Sequence, residues 1–249
     1  MRMRSRRQPA SLAIVRSAFH RWRPRRWQQR LDALPQRIRQ QPVGQGGHGR
    51  GDTQPQTGLL TWLADRHHPV MNQPCEILTC GQARLRRWRA ADADTVYRVV
   101  MESLEHLLPW MGWASGFSRD DAVRFTAQCE QDWESGVAYQ YAITTDDVIV
   151  GSCGLTRGIE PDGLDIGYWL HPAYTGRGLA TTAVAALVRQ AFALPDIERV
   201  EIVHDAANTA SGGIPRRLGF TEIEQRTPAQ SPVASGEVGI EVVWRLTRS

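Results

Sequence analysis

The sequence predicts an α/β domain of the α+β kind over residues 72–249, behind an arginine-rich leader over residues 1–71. Three observations predict it. Short segments of alternating polarity, typical of strands, lie between longer segments whose apolar residues recur every three or four positions, as on one face of a helix. In the leader, the apolar residues are scattered singly among polar ones. The charge divides at the same place, because residues 1–70 hold 14 arginines against three acids, a net +11, whereas residues 71–249 hold 16 against 23, a net −7.

The leader is predicted to be disordered, because it cannot bury enough apolar surface to offset the entropy that ordering costs. Its arginines are interleaved with Trp22 and Trp27. Phosphate contacts and base stacking are therefore an alternative, although we do not expect a nucleic-acid partner. A start of translation at Met71, just before the organised part, is a second alternative.

Composition excludes several classes of protein. All 30 basic residues are arginine, so a Walker A phosphate loop, which needs lysine, is excluded. The four cysteines (Cys75, Cys80, Cys129 and Cys153) have neither the spacing of a disulfide framework nor that of a zinc site. No apolar run approaches the roughly 18 residues of a membrane span. We therefore expect a bacterial protein of the reduced cytoplasm, with no metal and no membrane partner.

The first part of the domain is predicted to be a strand followed by two helices. Residues 83–88 (ARLRRW) alternate like a strand, and residues 91–107 (ADADTVYRVVMESLEHL) have a helical pattern. The second helix is predicted to begin after Ser118, a good N-cap followed by acidic residues. It is predicted to end at Gly136, because glycine adopts the left-handed conformation common at helix ends.

The remainder of the domain alternates strands with helices, and the turn at Asp146 and Asp147 joins two of the strands into a hairpin. No internal repeat is visible. The predicted elements are, in order, the hairpin (138–145 and 148–155), a strand (164–170), a helix that begins at Leu179, a strand (198–204), a short helix within 209–220 and a strand (239–246).

A glycine-broken turn stands directly before the helix that begins at Leu179. From Leu179 to Phe192 the apolar residues recur at steps of three to five, which places one apolar stripe on a helix. Gly176 and Gly178 therefore stand at a helix N-terminus, where unpaired N–H groups and the helix dipole favour a phosphate or another anion. Glycine also lets the backbone approach a bulky ligand. An ordinary flexible connection is the alternative.

A dinucleotide-binding turn is a rival interpretation, since Asp205 ends the next predicted strand. Three features count against it. Thr181 stands where the third glycine of G-x-G-x-x-G belongs, the five residues 171–175 separate the strand from Gly176, and more than half of the chain precedes the motif.

Thr175, Gly178 and Ala180 fall at the spacing of a signature that reads Gln or Arg, two residues, Gly, one residue, and Gly or Ala. The last two positions match, and the first departs, with Arg177 as a neighbouring substitute. This pattern resembles the pyrophosphate signature of the GNAT acetyltransferase superfamily.

Two further segments support the resemblance, which covers residues 83–249. An Asn and a Ser three apart before a Leu-Gly-Phe ending, a second GNAT signature, fall on Asn208 and Ser211. The segment 107–114 (LLPWMGWA) resembles the PW…WA segment of the branch that acetylates the N-termini of ribosomal proteins.

The resemblance implies a mixed, mostly antiparallel sheet of about six to seven strands flanked by helices. The family's fourth and fifth strands, here 164–170 and 198–204, splay apart and hold the pantetheine arm of acetyl-CoA between them. Acetyl-CoA is the implied co-substrate, and its acetyl group passes directly to a primary amine. The implied cofactor-binding residues are Leu170 (through its backbone N–H), Thr175, Gly176, Arg177, Gly178, Ala180, Thr181, Asn208 and Ser211.

The resemblance also implies catalytic roles. Asp165 matches the position where several GNAT enzymes place a glutamate base, and the shorter aspartate requires a bridging water. A solvated acid at a strand end is the alternative, and Glu102 and Glu105 are competing bases. Ser211 is the expected acid near the sulfur, and it also suits a capping role on the short helix beside Asn208.

The acceptor site is predicted to be lined by Trp110, Trp113, Tyr168 and Glu105, although large aromatic residues also suit a core. His171 is expected to be structural. The favoured acceptor is a protein N-terminal amine, and the alternative is a small amine such as an amino acid, polyamine or aminoglycoside. A coenzyme A sensor without turnover is the other alternative. We expect a monomer or a homodimer.

Overall fold

The computed structural model describes residues 73–158, 160–227 and 234–248. They form one open sheet of eight strands in the order β1-β2-β3-β4-β5-β6-β8-β7, antiparallel throughout except between β5 and β6. This confirms the predicted fold class. The predicted leader lies outside the described residues. The strands are β1 (Ile77–Cys80), β2 (Ala83–Arg87), β3 (Ala138–Thr145), β4 (Val148–Arg157), β5 (Gly163–Leu170), β6 (Arg199–Asp205), β7 (Thr221–Arg226) and β8 (Glu241–Thr247).

The helices begin and end where the sequence signals stand. Ser118 accepts the N–H of Asp121, and Gly136 ends the same helix with a φ of 71°, so both predicted caps are confirmed. The predicted first helix is divided at Ser103 into two. The helices are α1 (Ala93–Glu102), α2 (Leu104–Leu107), α3 (Arg119–Ser135), α4 (Leu179–Ala193) and α5 (Thr209–Arg217).

The sheet has two buried faces because alternate residues of each strand point to opposite sides. On what we call the α4 face, the even-numbered residues of β5 join the core that contains α4. On the opposite face, the α1 face, Trp169 joins Trp88 and the apolar residues of α1 and α3. Each face of β5 is therefore covered, and its odd-numbered and even-numbered residues have separate surroundings.

The sheet opens between β5 and β6. These parallel strands pair through three residue pairs, which end at Asp165 and Glu201. In contrast, β5 pairs with β4 through seven residue pairs, from Leu164 with Arg157 to Leu170 with Gly151. The strands therefore diverge towards the end of β5, which agrees with the expected splay.

Two strands were not predicted, and both lie at or near an edge of the sheet. β1 precedes the predicted first strand and pairs only with β2. β7 pairs only with β8, and all of its residues are exposed. β7 buries neither face, so it lacks the polar and apolar alternation by which sequence reveals a strand, whereas β1 alternates over only four residues.

Gly212 of α5 lies where a side chain has no room. A Cβ there would be 2.7 Å from Nε2 of His204, a buried ring. That ring is fixed, because Nε2 of His204 accepts the indole N–H of Trp244 at 2.9 Å and its other nitrogen lies 2.8 Å from the Asp205 carbonyl oxygen.

We expect Gly212→Ala to lower the free energy of unfolding by about 1–3 kcal/mol, because the overpacked methyl group must displace the ring. The matched control is Gly213→Ala, where the methyl group meets only the flexible end of Arg217 at 3.1 Å and alanine favours the helix. Urea unfolding of both variants is the measurement. Equal stabilities would contradict the packing argument.

Candidate active site

The turn between β5 and α4 is built by two glycines. A short 3-10 turn over Pro172–Tyr174 follows β5, and then Gly176 and Gly178 adopt φ values of 74° and 78°. These values favour glycine because a Cβ strains the left-handed region. A Cβ built on either glycine meets no atom within 4 Å, so the backbone is open to a ligand. Gly178 is the N-cap of α4, and no side chain caps this end.

The side chains of the turn are tied to the turn itself. The Thr175 hydroxyl donates to the Pro172 carbonyl oxygen at 2.9 Å. The Arg177 guanidinium donates to the Ala173 carbonyl oxygen at 2.9 Å and lies 5.2 Å from the centre of the Tyr174 ring. The open N–H groups at the start of α4 therefore make a better anion site than either side chain.

Arg217 is a cation that the sequence analysis missed. Its guanidinium donates to the Thr181 hydroxyl at 3.2 Å, so it stands beside the first turn of α4. Ala180, the residue before Thr181, is buried. The signal in the sequence was the pair of arginines before Leu-Gly-Phe, but nothing in their spacing connects them to a helix 36 residues earlier.

The Leu170 N–H is directed into the gap between β5 and β6. His171 donates to the Val150 carbonyl oxygen at 2.7 Å, which makes these two residues a hydrogen-bonded pair. Hydrogen-bonded and non-hydrogen-bonded pairs alternate in an antiparallel ladder. The next pair, Gly151 and Leu170, is therefore of the second kind, and Leu170 turns its N–H away from β4.

Ser211 lies on the other side of the gap, in the first turn of α5. Asn208 is the N-cap, and its side-chain oxygen accepts the Ser211 N–H at 3.2 Å, so the predicted capping arrangement is present. Ser211 is fully buried, and its Oγ lies 3.3 Å from the Tyr168 hydroxyl oxygen. Burial raises the pKa of Tyr168, so this phenol stays protonated. The structure therefore brings Ser211, Asn208 and Tyr168 together.

Asp165 lies at the vertex of the gap, where β5 and β6 stop pairing. It stands opposite Thr156 of β4 and Glu201 of β6. Its side chain is half-buried, and one carboxylate oxygen is 3.7 Å from the place of a Cβ on Gly158, so it faces the turn between β4 and β5. As an odd-numbered residue of β5 it lies on the α1 face, whereas Tyr168 faces the opposite side.

The predicted acceptor residues divide between the two faces. The Trp113 ring lies 6.4 Å from the ring of Trp169 on the α1 face, and Trp110 packs in the same core. Tyr168 belongs to the core of the α4 face, so the structure does not bring it together with the two tryptophans. Glu105 is exposed on α2.

Glu105 borders an open cavity of about 500 Å³ between the α1–α2 junction and the turn after β5. Glu102 at its rim lies 3.7 Å from the His171 ring and pairs with Arg98 at 3.2 Å. The cavity is lined by Met101, Glu102, Leu104, Glu105, His106 and Pro172.

His106 at this cavity is held neutral. Burial, together with the nearby His171, lowers its pKa from 6.5 to about 4. Because the folded pKa lies below the unfolded one, the unfolded chain takes up a proton first as the pH falls. The stability that the neutral ring contributes is complete above about pH 6.5 and is lost as the pH falls towards about 4.

We expect the free energy of unfolding of the wild type to fall by about 2 kcal/mol more than that of His106→Gln between about pH 7 and about pH 4.5. Urea unfolding at the two pH values is the measurement. Asp132, whose pKa is raised by burial to about 6, titrates in the same window in the opposite direction, but it is present in both proteins. Parallel losses would show that His106 is not the group responsible.

Residues 234–240 connect the end of β6 with the end of α2. The carboxylate of Asp205 accepts the N–H groups of Val238, Gly239 and Ile240, and also that of Ala207. Gly236 donates to the Pro109 carbonyl oxygen at 2.9 Å. This segment therefore links the end of β6 to Pro109, which follows α2.

Comparison with protein families decides the identity of the fold. The family model described as the acetyltransferase (GNAT) domain matches residues 82–221. The chain belongs to the GNAT acetyltransferase family. The predicted acetyltransferase activity with acetyl-CoA as co-substrate is thereby confirmed. The matched range includes the glycine turn, the gap and α5.

Two curated relatives support the assignment of this acetyltransferase. It is 28% identical over 143 residues to a protein of Bacillus subtilis named as a putative ribosomal N-acetyltransferase, which is 55% of this chain and 77% of that protein. It is 25% identical over 128 residues to the ribosomal-protein-serine acetyltransferase of Escherichia coli, which is 50% of this chain and 71% of that protein.

Solved structures share the fold of the acetyltransferase. The ribosomal L7/L12 alpha-N-protein acetyltransferase RimL in complex with coenzyme A superposes with a TM-score of 0.63 at 21% identity, over 69% of this chain and 98% of that one. RimJ of Mycobacterium smegmatis with a coenzyme A disulfide gives 0.61 at 22% identity, over 73% and 90%.

The described part of the acetyltransferase contains no group of three or more His, Cys, Asp or Glu residues arranged to hold a metal ion. Within the same residues, no helix is both long and apolar enough to cross a bilayer.

Proposed function

We propose that this acetyltransferase transfers an acetyl group from acetyl-CoA to the amine at the N-terminus of a protein. The observation that carries the proposal is the agreement of the two curated relatives, both of which are named as acetyltransferases of ribosomal proteins. Residues 71–249 carry a net charge of −7. This charge suits a cationic acceptor such as a ribosomal protein.

The glycine turn is proposed to bind the pyrophosphate of acetyl-CoA. Gly176 and Gly178 leave the backbone open, and the uncapped first turn of α4, with Ala180 and Thr181, supplies N–H donors. Arg217 adds a positive charge at the same place. Thr175 and Arg177 then act by holding the shape of the turn. These features fit the anionic part of acetyl-CoA.

The gap is proposed to hold the pantetheine arm of acetyl-CoA and the thioester that carries the acetyl group. The Leu170 N–H then donates to the carbonyl oxygen as it gains negative charge. Asp165 accepts the amine proton through a bridging water. The water is needed because the Asp165 side chain is short and faces the turn between β4 and β5. The Ser211 hydroxyl donates a hydrogen bond to the sulfur as the carbon–sulfur bond breaks. No covalent enzyme intermediate is needed.

The acceptor is proposed to approach over the α1 face, opposite the side of the sheet on which Ser211 and α4 lie. Trp110 and Trp113 border this face, Glu105 lies at the cavity beside it, and the 234–240 segment closes its other side. Tyr168 is not proposed as an acceptor residue, since it lies on the α4 face.

The proposal is tested by offering acetyl-CoA with a matched pair of peptides. One begins with a free serine or alanine amine and carries an internal lysine, and the other has the same sequence with a formylated N-terminus. We expect release of coenzyme A thiol with the first peptide only, and mass spectrometry should place the acetyl group on the α-amine. Acetylation of the lysine in both peptides would overturn the proposal.

The same assay separates the two remaining alternatives. Turnover of spermidine, free amino acids or an aminoglycoside in place of the peptides would indicate a small-amine acetyltransferase. Tight binding of acetyl-CoA without thiol release from any acceptor would indicate a sensor. We propose cytoplasmic action by a monomer or homodimer, and that catalysis does not require residues 1–71.

A further inference from the structure

The Tyr168 hydroxyl forms a hydrogen-bonded connection from β5 to α5. The hydroxyl of Tyr168 lies 3.3 Å from the Ser211 Oγ and also 3.3 Å from the Ser211 carbonyl oxygen. Both side chains are buried, with exposed fractions of 2% for Tyr168 and 0% for Ser211. A phenol at this place does more than fill space, since a buried hydroxyl costs free energy unless it is hydrogen-bonded.

We propose that Tyr168 is a positioning residue for Ser211, which aims the serine hydroxyl at the sulfur of the departing coenzyme A. This inference rests on the proposed function, because it assigns a role within the same reaction. Tyr168 does not touch the reacting atoms and acts through Ser211.

The two contacts allow two arrangements of the hydroxyl protons. Tyr168 has one proton to donate, and a hydroxyl can rotate to suit its partners. When Tyr168 donates to the Ser211 carbonyl oxygen, the serine hydroxyl can donate back to Tyr168. When Tyr168 donates to Ser211 Oγ, the serine proton is directed to a third group. Negative charge on a neighbouring sulfur favours the second arrangement, because each donor in the chain polarises the next.

Ser211 is held in place for this exchange. The Asn208 side chain accepts its N–H at 3.2 Å, so the backbone of the residue is fixed at the start of α5. Burial raises the pKa of Tyr168, which keeps its proton in place and makes it a donor throughout. A phenylalanine would fill the same volume but could not direct the serine.

The step balances without a further reactant. The amine nitrogen bonds to the carbonyl carbon, the carbon–sulfur bond breaks, and its electron pair remains on sulfur. Tyr168 and Ser211 keep their own protons and stabilise the thiolate by hydrogen bonds. The amine passes its proton through a water to Asp165, which releases it to the solvent, and the thiolate takes a proton from the solvent, so the protein is unchanged.

The test is a double-mutant cycle of Tyr168→Phe and Ser211→Ala, measured with acetyl-CoA and the N-terminal peptide. We expect Tyr168→Phe to lower kcat about fivefold, with little change in the KM for acetyl-CoA. In the Ser211→Ala background the same change should have almost no effect, because the group that Tyr168 directs is gone. An equal loss in both backgrounds would overturn the proposal.

The matched control is Tyr141→Phe, another buried tyrosine, whose hydroxyl donates to the Cys75 carbonyl oxygen at 2.8 Å away from the gap. It should leave kcat unchanged. A second measurement does not depend on how much protein is folded. The ratio of kcat for the oxygen-ester analogue of acetyl-CoA to kcat for acetyl-CoA should fall in Tyr168→Phe, since the more basic leaving oxygen needs the donor more.

If the ratio of kcat for the oxygen-ester analogue to kcat for acetyl-CoA is unchanged in Tyr168→Phe, the positioning role is overturned. Absence of wild-type turnover with every acceptor would overturn the proposed function and this inference with it. Wild-type turnover together with additive effects would overturn this inference alone.

Discussion

Gly178→Glu is expected to weaken acetyl-CoA binding at least about 100-fold, which corresponds to about 2.7 kcal/mol. The new carboxylate stands at the N-cap of α4, where the backbone donors of the proposed pyrophosphate site lie. It brings bulk into open space and repels an anionic ligand at the place where that ligand would bind. Isothermal calorimetry with acetyl-CoA and with desulfo-coenzyme A measures the loss.

The control for Gly178→Glu is Gly116→Glu. Gly116 has a φ of 73°, and a Cβ there also meets nothing within 4 Å, so both variants strain the backbone equally in open space. Gly116 lies before α3, next to Phe117 of the α1-face core, whereas α4 packs in the core of the opposite face. We expect it to retain acetyl-CoA binding. If both glutamates weaken binding alike, or if neither does, the pyrophosphate site is not at this turn.

Ser211→Ala is expected to lower kcat about 100-fold, the lower end of what one positioned hydrogen-bond donor to a developing charge contributes, while the KM for acetyl-CoA changes little. The variant removes the hydroxyl that lies beside Tyr168 but keeps the backbone N–H that Asn208 binds. The helix cap therefore survives, and the loss falls on the chemical step. Steady-state kinetics with the N-terminal peptide gives both constants.

Ser103→Ala is the matched control for Ser211→Ala. Ser103 is 1% exposed, and its hydroxyl has no hydrogen-bond partner, so alanine at that place removes an equally buried group without leaving another atom unpaired. We expect kcat to stay within about twofold of the wild type. A loss in Ser211→Ala no greater than this would remove Ser211 from the mechanism.

The parts of the fold that sequence predicts are those determined by neighbours in the chain. The α4 helix was predicted from its apolar stripe, and the residues of that stripe from Leu179 to Ala191 are buried. Its starting turn was predicted because glycine tolerates the φ values that Gly176 and Gly178 adopt. The α3 helix was predicted at both ends, since its capping box and its terminal glycine are local signals.

The parts that sequence could not predict depend on residues far apart in the chain. The contact of Tyr168 with Ser211 joins residues 43 positions apart, and the contact of Arg217 with Thr181 joins residues 36 apart. Neither has a spacing rule. Tyr168 was assigned to the acceptor site on its residue type alone, because the face of the sheet to which a strand residue points is fixed only once the core is known.

The three residue pairs between β5 and β6 are the only strand pairing that joins β1–β5 to β6–β8 within the described sheet. The α4 helix packs against both parts, since it contacts β5 of the first and β6 of the second. A sheet with so short a pairing between two of its strands can open as two units with different free energies. We expect acetyl-CoA bound in the proposed gap to contact both parts of the sheet and so to make their unfolding more cooperative.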